Sequence, residues 1–100
     1  MRQADGAWAV PAGHPALTGH FPGRPIVPGV VLLDRALLFA EALLGRPGLA
    51  WQIAQAKFFR PVGPGETLVF RLQEQPDAAL TFSIRAGASE VASGRLRPAG

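Results

Sequence analysis

The stretch "GHFPGRPIVPGVVLLD", Gly19 to Asp34, decides how this 100-residue chain is read. Prolines stand at 22, 25 and 28, between a histidine and a very apolar run. Each proline fixes its own φ and pushes the residue before it (Phe21, Arg24, Val27) toward extended geometry. The whole segment "PAGHPALTGHFPGRPIVPG" therefore predicts a stiff loop that holds its shape without regular structure. From Gly29 or Val30 the prolines stop, and a helix is predicted to about Leu44, ended by Gly45 and Pro47. About 15 residues give roughly 22 Å. Apart from Asp34, Arg35 and Glu41 the run is apolar on every side, which predicts a buried helix.

Outward from that helix the period changes to two. Before the loop, Ala7–Val10 predicts a short strand stopped by Pro11. After the helix, strands are predicted over Leu49–Phe59, Thr67–Leu72, Leu80–Ala86 and Glu90–Leu96. Leu68, Phe70 and Leu72 share one face of the second; Leu80, Phe82, Ile84 and Ala86 share one face of the third. The breaks "RPVGPGE", "QEQPDA" and "AGAS" carry turn chemistry. One helix with short-linked strands predicts an α+β fold, a long buried central helix wrapped by a curled antiparallel sheet. With no repeat or linker, residues 1–100 read as a single domain, which buries roughly two-thirds of the unfolded chain's surface.

The charge is less basic than it looks. The pI is ≈ 11.1, yet there are 10 Lys+Arg against 7 Asp+Glu. Lys57 is the one lysine, and Tyr and Cys are absent, so a small excess of arginine sets a high pI. The basic residues are scattered, with no cluster beyond Arg95 and Arg97, which argues against nucleic-acid binding. A mild positive field suits a transient acidic partner. Zero cysteines exclude disulfides and thiolate metal sites. "MRQADGAWAV" lacks a basic-then-apolar leader, and Asp34, Arg35 and Glu41 interrupt the apolar run too early for a membrane span. The expectation is a cytoplasmic protein without cofactor.

Two residues carry the candidate chemistry. A lone loop histidine is more often structural than catalytic, and Asp34, Leu38 and Glu41 at helical spacing read more readily as a narrow solvent-facing strip. Their combination changes the weighing. The stiff loop feeds His20 directly into a helix start, where unpaired N–H groups around Gly29 and Val30 can hold a developing oxyanion. An imidazole serves as base near pH 7, and a carboxyl in apolar surroundings serves as acid. Base, acid and oxyanion hole together suit proton removal next to a carbonyl. His14, six residues before His20, has no evident third ligand, so no metal site is assigned. "GPGE" (Gly63–Glu66) reads as a turn, and Ser83, Ser89 and Ser93 lack a nucleophile elbow.

"GHFPGRPIVPGVVLLD" resembles the signature of the hot-dog-fold 3-hydroxyacyl-[acyl carrier protein] dehydratases, and "KFFRPVGPGETL" (Lys57–Leu68) resembles the strand and turn that follow in them. The likeness covers roughly residues 19–72. It implies that His20 is the catalytic base, Asp34 its acidic partner, and Gly29 the residue whose N–H receives the thioester carbonyl. Phe21, Pro28 and Val30 join Gly29 as substrate-binding positions. It further implies that the histidine and acid of one site come from opposite protomers, as a homodimer, a hot-dog heterodimer or a higher assembly. His20 would take the C2 proton while Asp34 helps the C3 hydroxyl leave as water. The acyl chain would lie in an apolar tunnel beside the helix. An acidic acyl carrier protein would deliver it, with Arg24, Lys57 and Arg60 as docking candidates.

Two departures qualify the match. Only 19 residues precede His20, fewer than in the common fatty-acid-synthesis members, and this compact form resembles the dehydratases of aryl-polyene-type lipid pathways. The acid is aspartate where many members have glutamate; the branch that also isomerises the double bond has aspartate. The competing readings are a non-catalytic hot-dog subunit that binds acyl carrier protein and a hot-dog acyl thioesterase.

Overall fold

The computed structural model describes residues 2–11, 26–46, 48 and 50–99. The elements are β1 (Gln3–Ala9), α1 (Gly29–Leu44), β2 (Trp51–Phe58), β3 (Thr67–Glu74), β4 (Leu80–Ala86) and β5 (Ser89–Pro98). The strands form one antiparallel sheet in the order β1-β3-β4-β5-β2. Helix α1 packs against this curled sheet, which is the hot-dog arrangement the resemblance implies. Strand β1 is seven residues long and begins at Gln3, earlier than the four-residue strand expected from "AWAV". Its alternation is hard to see because its inward positions are Ala4, Gly6 and Trp8, two of them small.

The period-two reading of β3 and β4 holds residue by residue. Leu68, Phe70, Leu72, Leu80 and Ile84 are fully buried, and Phe82 nearly so. Register places Phe70 opposite Ile84 and Leu72 opposite Phe82, so their side chains stack on one face. Strand β5 departs from alternation. Its pairing with β4 shifts at Ile84/Arg85, and the extra residue lets consecutive Val91 and Ala92 both face the core. On the outward face the charges pair: Asp5 with Arg71, Glu74 with Arg2, and Asp77 with both Arg95 and Arg97. The two neighbouring arginines noted in the sequence thus share one carboxylate.

Helix α1 is capped at its start by Pro28, whose φ of −59° suits a helix entry, and at its end by Gly45. Gly45 takes φ +64°, the left-handed conformation that glycine adopts without cost, and the N–H groups of Gly45 and Arg46 close on the carbonyls of Ala42 and Glu41. Leu32, Ala36 and Ala40 form a buried stripe at a spacing of four. The small side chains of Ala36 and Ala40 let the helix sit close to the sheet. Phe39 extends this contact, its ring 5.2 Å from that of Phe70 and directly over Gly6 of β1. The Arg35 guanidinium lies 4.6 Å from the Trp8 ring and covers it.

The helix is not buried all round, contrary to the reading of its sequence. Val30, Asp34, Leu38 and Ala42 form a second stripe, opposite the first, and it is exposed. Val30 is 70% and Leu38 46% accessible. One five-stranded sheet covers one side of a helix; the described residues leave the other apolar side uncovered. Strand β2 shows the same condition. It is an edge strand paired on one side by β5, and it and the residue after it expose Ile53, Phe58 and Phe59. Among the described residues no helix is long and apolar enough to cross a membrane.

Candidate active site

The start of α1 is built from both sides. Val27, pinned by the following proline, donates its N–H to the Val62 carbonyl at 2.8 Å, and both valines are buried. Pro28 then caps the helix without a side-chain hydrogen bond, and no acidic residue stands in the first turn. The N–H groups at a helix start have no acceptor within the helix, and they carry its positive dipole end. Here Val31 turns back to the Pro28 carbonyl at 3.0 Å. With neither carboxylate nor side-chain cap, the helix start is suited to a carbonyl oxygen that gains negative charge.

That helix start opens on a cleft of about 510 Å³. Ile26, Val27, Gly29 and Leu32 form one wall. The end of β2 and the loop after it form the other, through Phe58, Phe59 and the run from Arg60 to Val62. The lining is mainly apolar. The Phe58 ring lies against Gly29: a Cβ there would stand 2.9 Å from its Cζ and 3.0 Å from its Cε1. Glycine at 29 is thus a matter of space, because any side chain would push the ring.

The loop between β2 and β3 is held by one carboxylate. The Arg60 guanidinium donates to Glu66 at 2.7 and 3.4 Å and to the Pro61 carbonyl at 2.8 Å. Glu66 also accepts the Gly63 N–H at 2.7 Å. The Arg60 hydrogen bond, then the Gly63 N–H, hold the Glu66 carboxyl below the ordinary carboxylate range against a small desolvation cost. The same bond to Glu66 raises Arg60. Gly65 supplies φ +83° in the Pro64–Gly65 turn.

Residues 1–95 match the family model of ApeI-like proteins, described as ApeI dehydratase. The chain belongs to the ApeI-like dehydratase family. The 3-hydroxyacyl-[acyl-carrier-protein] dehydratase FabZ of Brucella ovis is 38% identical in an alignment 79 positions long that covers 71% of this chain and 50% of that protein. The chain thus spans about half the length of the curated relatives it matches. Among solved structures, a chain of the dehydratase heterocomplex ApeI:P from Xenorhabdus doucetiae superposes with TM-score 0.84 at 28% identity, over 96% of this chain and 86% of that one. An uncharacterized protein from Erwinia carotovora subsp. atroseptica superposes with TM-score 0.76 at 34% identity, over 96% of this chain and 83% of that one.

For this ApeI-like chain the structure sorts the residues singled out in the sequence. Gly29 and Pro28 stand at the cleft and at the helix cap. Val30 does not line the cleft: it is one residue further round the helix and exposed. Asp34 is exposed as well, one turn beyond Val30 on the same stripe. The described residues of its own chain therefore do not give it the apolar surroundings expected of the acid. Five residues separate Gly29 from Asp34, about 140° around the axis, and Asp34 is about 200° from Leu32. The cleft and the carboxylate of one chain thus face different ways. Glu41 is half-buried and accepts the Gly48 N–H at 3.4 Å. Lys57 is exposed on β2 opposite Ser93. Arg60, a docking candidate in the sequence, is ion-paired with Glu66. His14, His20, Phe21 and Arg24 lie outside the described residues.

The sequence reading missed the aromatic wall and the loop clamp. Phe58 and Phe59 looked like ordinary strand residues, and an edge position is not legible from alternation. Glu66 was passed over as part of a turn. Its one signal is an acid placed directly after Pro-Gly and six residues after an arginine, and many surface turns share that pattern.

Proposed function

We propose that this chain removes water from 3-hydroxyacyl thioesters carried on acyl carrier protein, giving trans-2-enoyl thioesters in fatty-acid or polyene-lipid synthesis. Residues 1–100 act as one hot-dog domain, in the cytoplasm. The observation that carries this reading is the helix start at Gly29, which has no side-chain cap and opens on an apolar cleft, where a side chain at 29 would crowd the Phe58 ring. The FabZ relatives, named as 3-hydroxyacyl-[acyl-carrier-protein] dehydratases, and the family match support the same chemistry.

In the proposed reaction the Gly29 N–H donates to the thioester carbonyl and stabilises the negative charge that grows there as the C2 proton leaves. His20 takes that proton. Asp34 gives a proton to the C3 hydroxyl as the C3–O bond breaks, and water departs as C2 and C3 become doubly bonded. The two side chains come from two chains. Support lies in the helix geometry, which turns Asp34 away from the cleft of its own chain, and in the uncovered apolar stripe of α1 and open edge of β2. A second copy suffices, because each copy brings both a His20 and an Asp34. It would cover the Val30–Leu38 stripe and with it Asp34, supplying the apolar surroundings an acid needs. Among the described docking candidates for the carrier, Lys57 is exposed and directly precedes Phe58 of the cleft wall.

The test is mass spectrometry of 3-hydroxyacyl carrier-protein thioesters of several chain lengths, and of aryl-conjugated ones, incubated with the purified protein. Loss of water that His20→Ala abolishes is the expected result. Release of free thiol would make the chain a thioesterase, and carrier binding without turnover at any length would make it a non-catalytic subunit.

A further inference from the structure

The segment 11–26, which carries His20, leaves the described fold at Val10 and rejoins it at Val27, and both ends are tied to the same short loop. Val10 donates its N–H to the Glu66 carbonyl at 2.9 Å, and its own carbonyl accepts the Gly65 N–H at 2.8 Å. Val27 donates to the Val62 carbonyl at 2.8 Å. Val10, Val27 and Val62 are buried, so these bonds are shielded from water. The loop that receives them, residues 60–66, has no regular structure of its own. Its shape rests on the Glu66 carboxylate, which closes it on Arg60 six residues back and on the Gly63 N–H. The same loop supplies Arg60, Pro61 and Val62 to the cleft wall facing Gly29.

We infer that the Arg60–Glu66 ion pair is a positioning device for the active site, fixing both the helix start at Gly29 and the two ends of the His20 segment. Neither residue touches the reacting atoms in this assignment. Arg60 acts through the loop, which replaces the carrier-docking role expected of it. The inference rests on the proposed dehydration for its catalytic consequence, but its structural half can be tested without substrate.

Glu66→Gln keeps the size of the side chain and its bond to Gly63 while removing the charge that holds Arg60. Amide hydrogen exchange on the full chain is the first readout. At Val10, Val27 and Gly65 exchange should quicken by roughly tenfold or more, with the β3–β4 amides unchanged. Dehydration kinetics are the second. A displaced helix start should lower kcat by roughly 10- to 100-fold and leave KM within about twofold. Arg60→Ala should reproduce that split, the double variant should cost no more than either single one, and Glu66→Asp should recover part of the loss. Should Glu66→Gln or Arg60→Ala fail to fold, Glu66→Asp and Arg60→Lys carry the same comparison.

Unchanged exchange at Val10 and Val27 overturns the inference, and so does altered exchange with unchanged kcat. A rise in KM for Arg60→Ala alone overturns it in favour of docking. If the wild-type protein shows no dehydration, the proposed function falls, and the exchange experiment still decides whether the clamp holds these ends.

Discussion

Replacing Gly29 by alanine is expected to separate stability from activity. The added Cβ would meet the Phe58 ring at 2.9, 3.0 and 3.3 Å, so the ring has to move. Phe58 is 48% accessible and sits on the edge strand, so it has room to swing into the cleft. The crowding costs about 1 kcal/mol, at the low end for overpacking because the neighbour is a mobile ring. Alanine is favoured over glycine in a helix by up to about 1 kcal/mol, which offsets most of that. Net stability in urea should stay within about 1 kcal/mol of wild type. Activity should not. Loss of one oxyanion donor costs about 10²–10³ in rate, and partial obstruction of the Gly29 amide by a methyl and a displaced ring should cost roughly 10- to 100-fold in kcat/KM. The assay is enoyl thioester formation by mass spectrometry beside urea titrations of the same samples. Removing the ring as well, in Gly29→Ala with Phe58→Ala, should recover part of the activity. Wild-type turnover by Gly29→Ala would refute the role of this amide; a loss of about 3 kcal/mol or more would refute the claim that Phe58 yields.

Two further outcomes follow from the packing and the charges. Gly6→Ala puts a Cβ into the Phe39 ring, which is itself packed on Phe70, so the urea midpoint should fall by the equivalent of about 1–3 kcal/mol; an unchanged midpoint would contradict the β1–α1 contact. Glu66 is lowered by Arg60, then Gly63, and Glu74 by Arg2, so the native state binds fewer protons than the unfolded chain. Their stabilisation should be whole above the ordinary value of 4.5 and lost as pH falls through the lowered native values, and Glu66→Gln should make that acid loss shallower in pH-dependent urea titrations.

Much of the fold was legible because its signals are local. Helix α1 ends at Gly45 as read, since a left-handed stop is a property of one residue. Strands β3 and β4 keep strict alternation because one face meets the core and the other meets water. Three features were not legible, each for a physical reason. The bulge that turns Val91 and Ala92 inward together depends on the register of a neighbouring strand. The glycine at position 6 of β1 is set by the Phe39 ring on a helix more than thirty residues away. The exposed stripe of α1 looks buried in sequence, because apolar side chains read alike whether the cover is their own sheet or another chain. At the site, Gly29 was legible from the proline loop ahead of it, whereas the clamp depends on a bond between Arg60 and Glu66 that no spacing specifies. The reading of His20 itself still stands on the sequence pattern.

In the proposed dimer, one active site draws His20 and Asp34 from two copies of the chain. Its most direct measurement is complementation: His20→Ala and Asp34→Ala chains, each inactive alone, are co-expressed and the mixed dimer is isolated through two different tags. Such a dimer holds one site with both side chains and one with neither, so it should recover about half the turnover of the wild-type dimer. A mixed dimer that forms and stays as inactive as its parents would contradict a site shared between two chains.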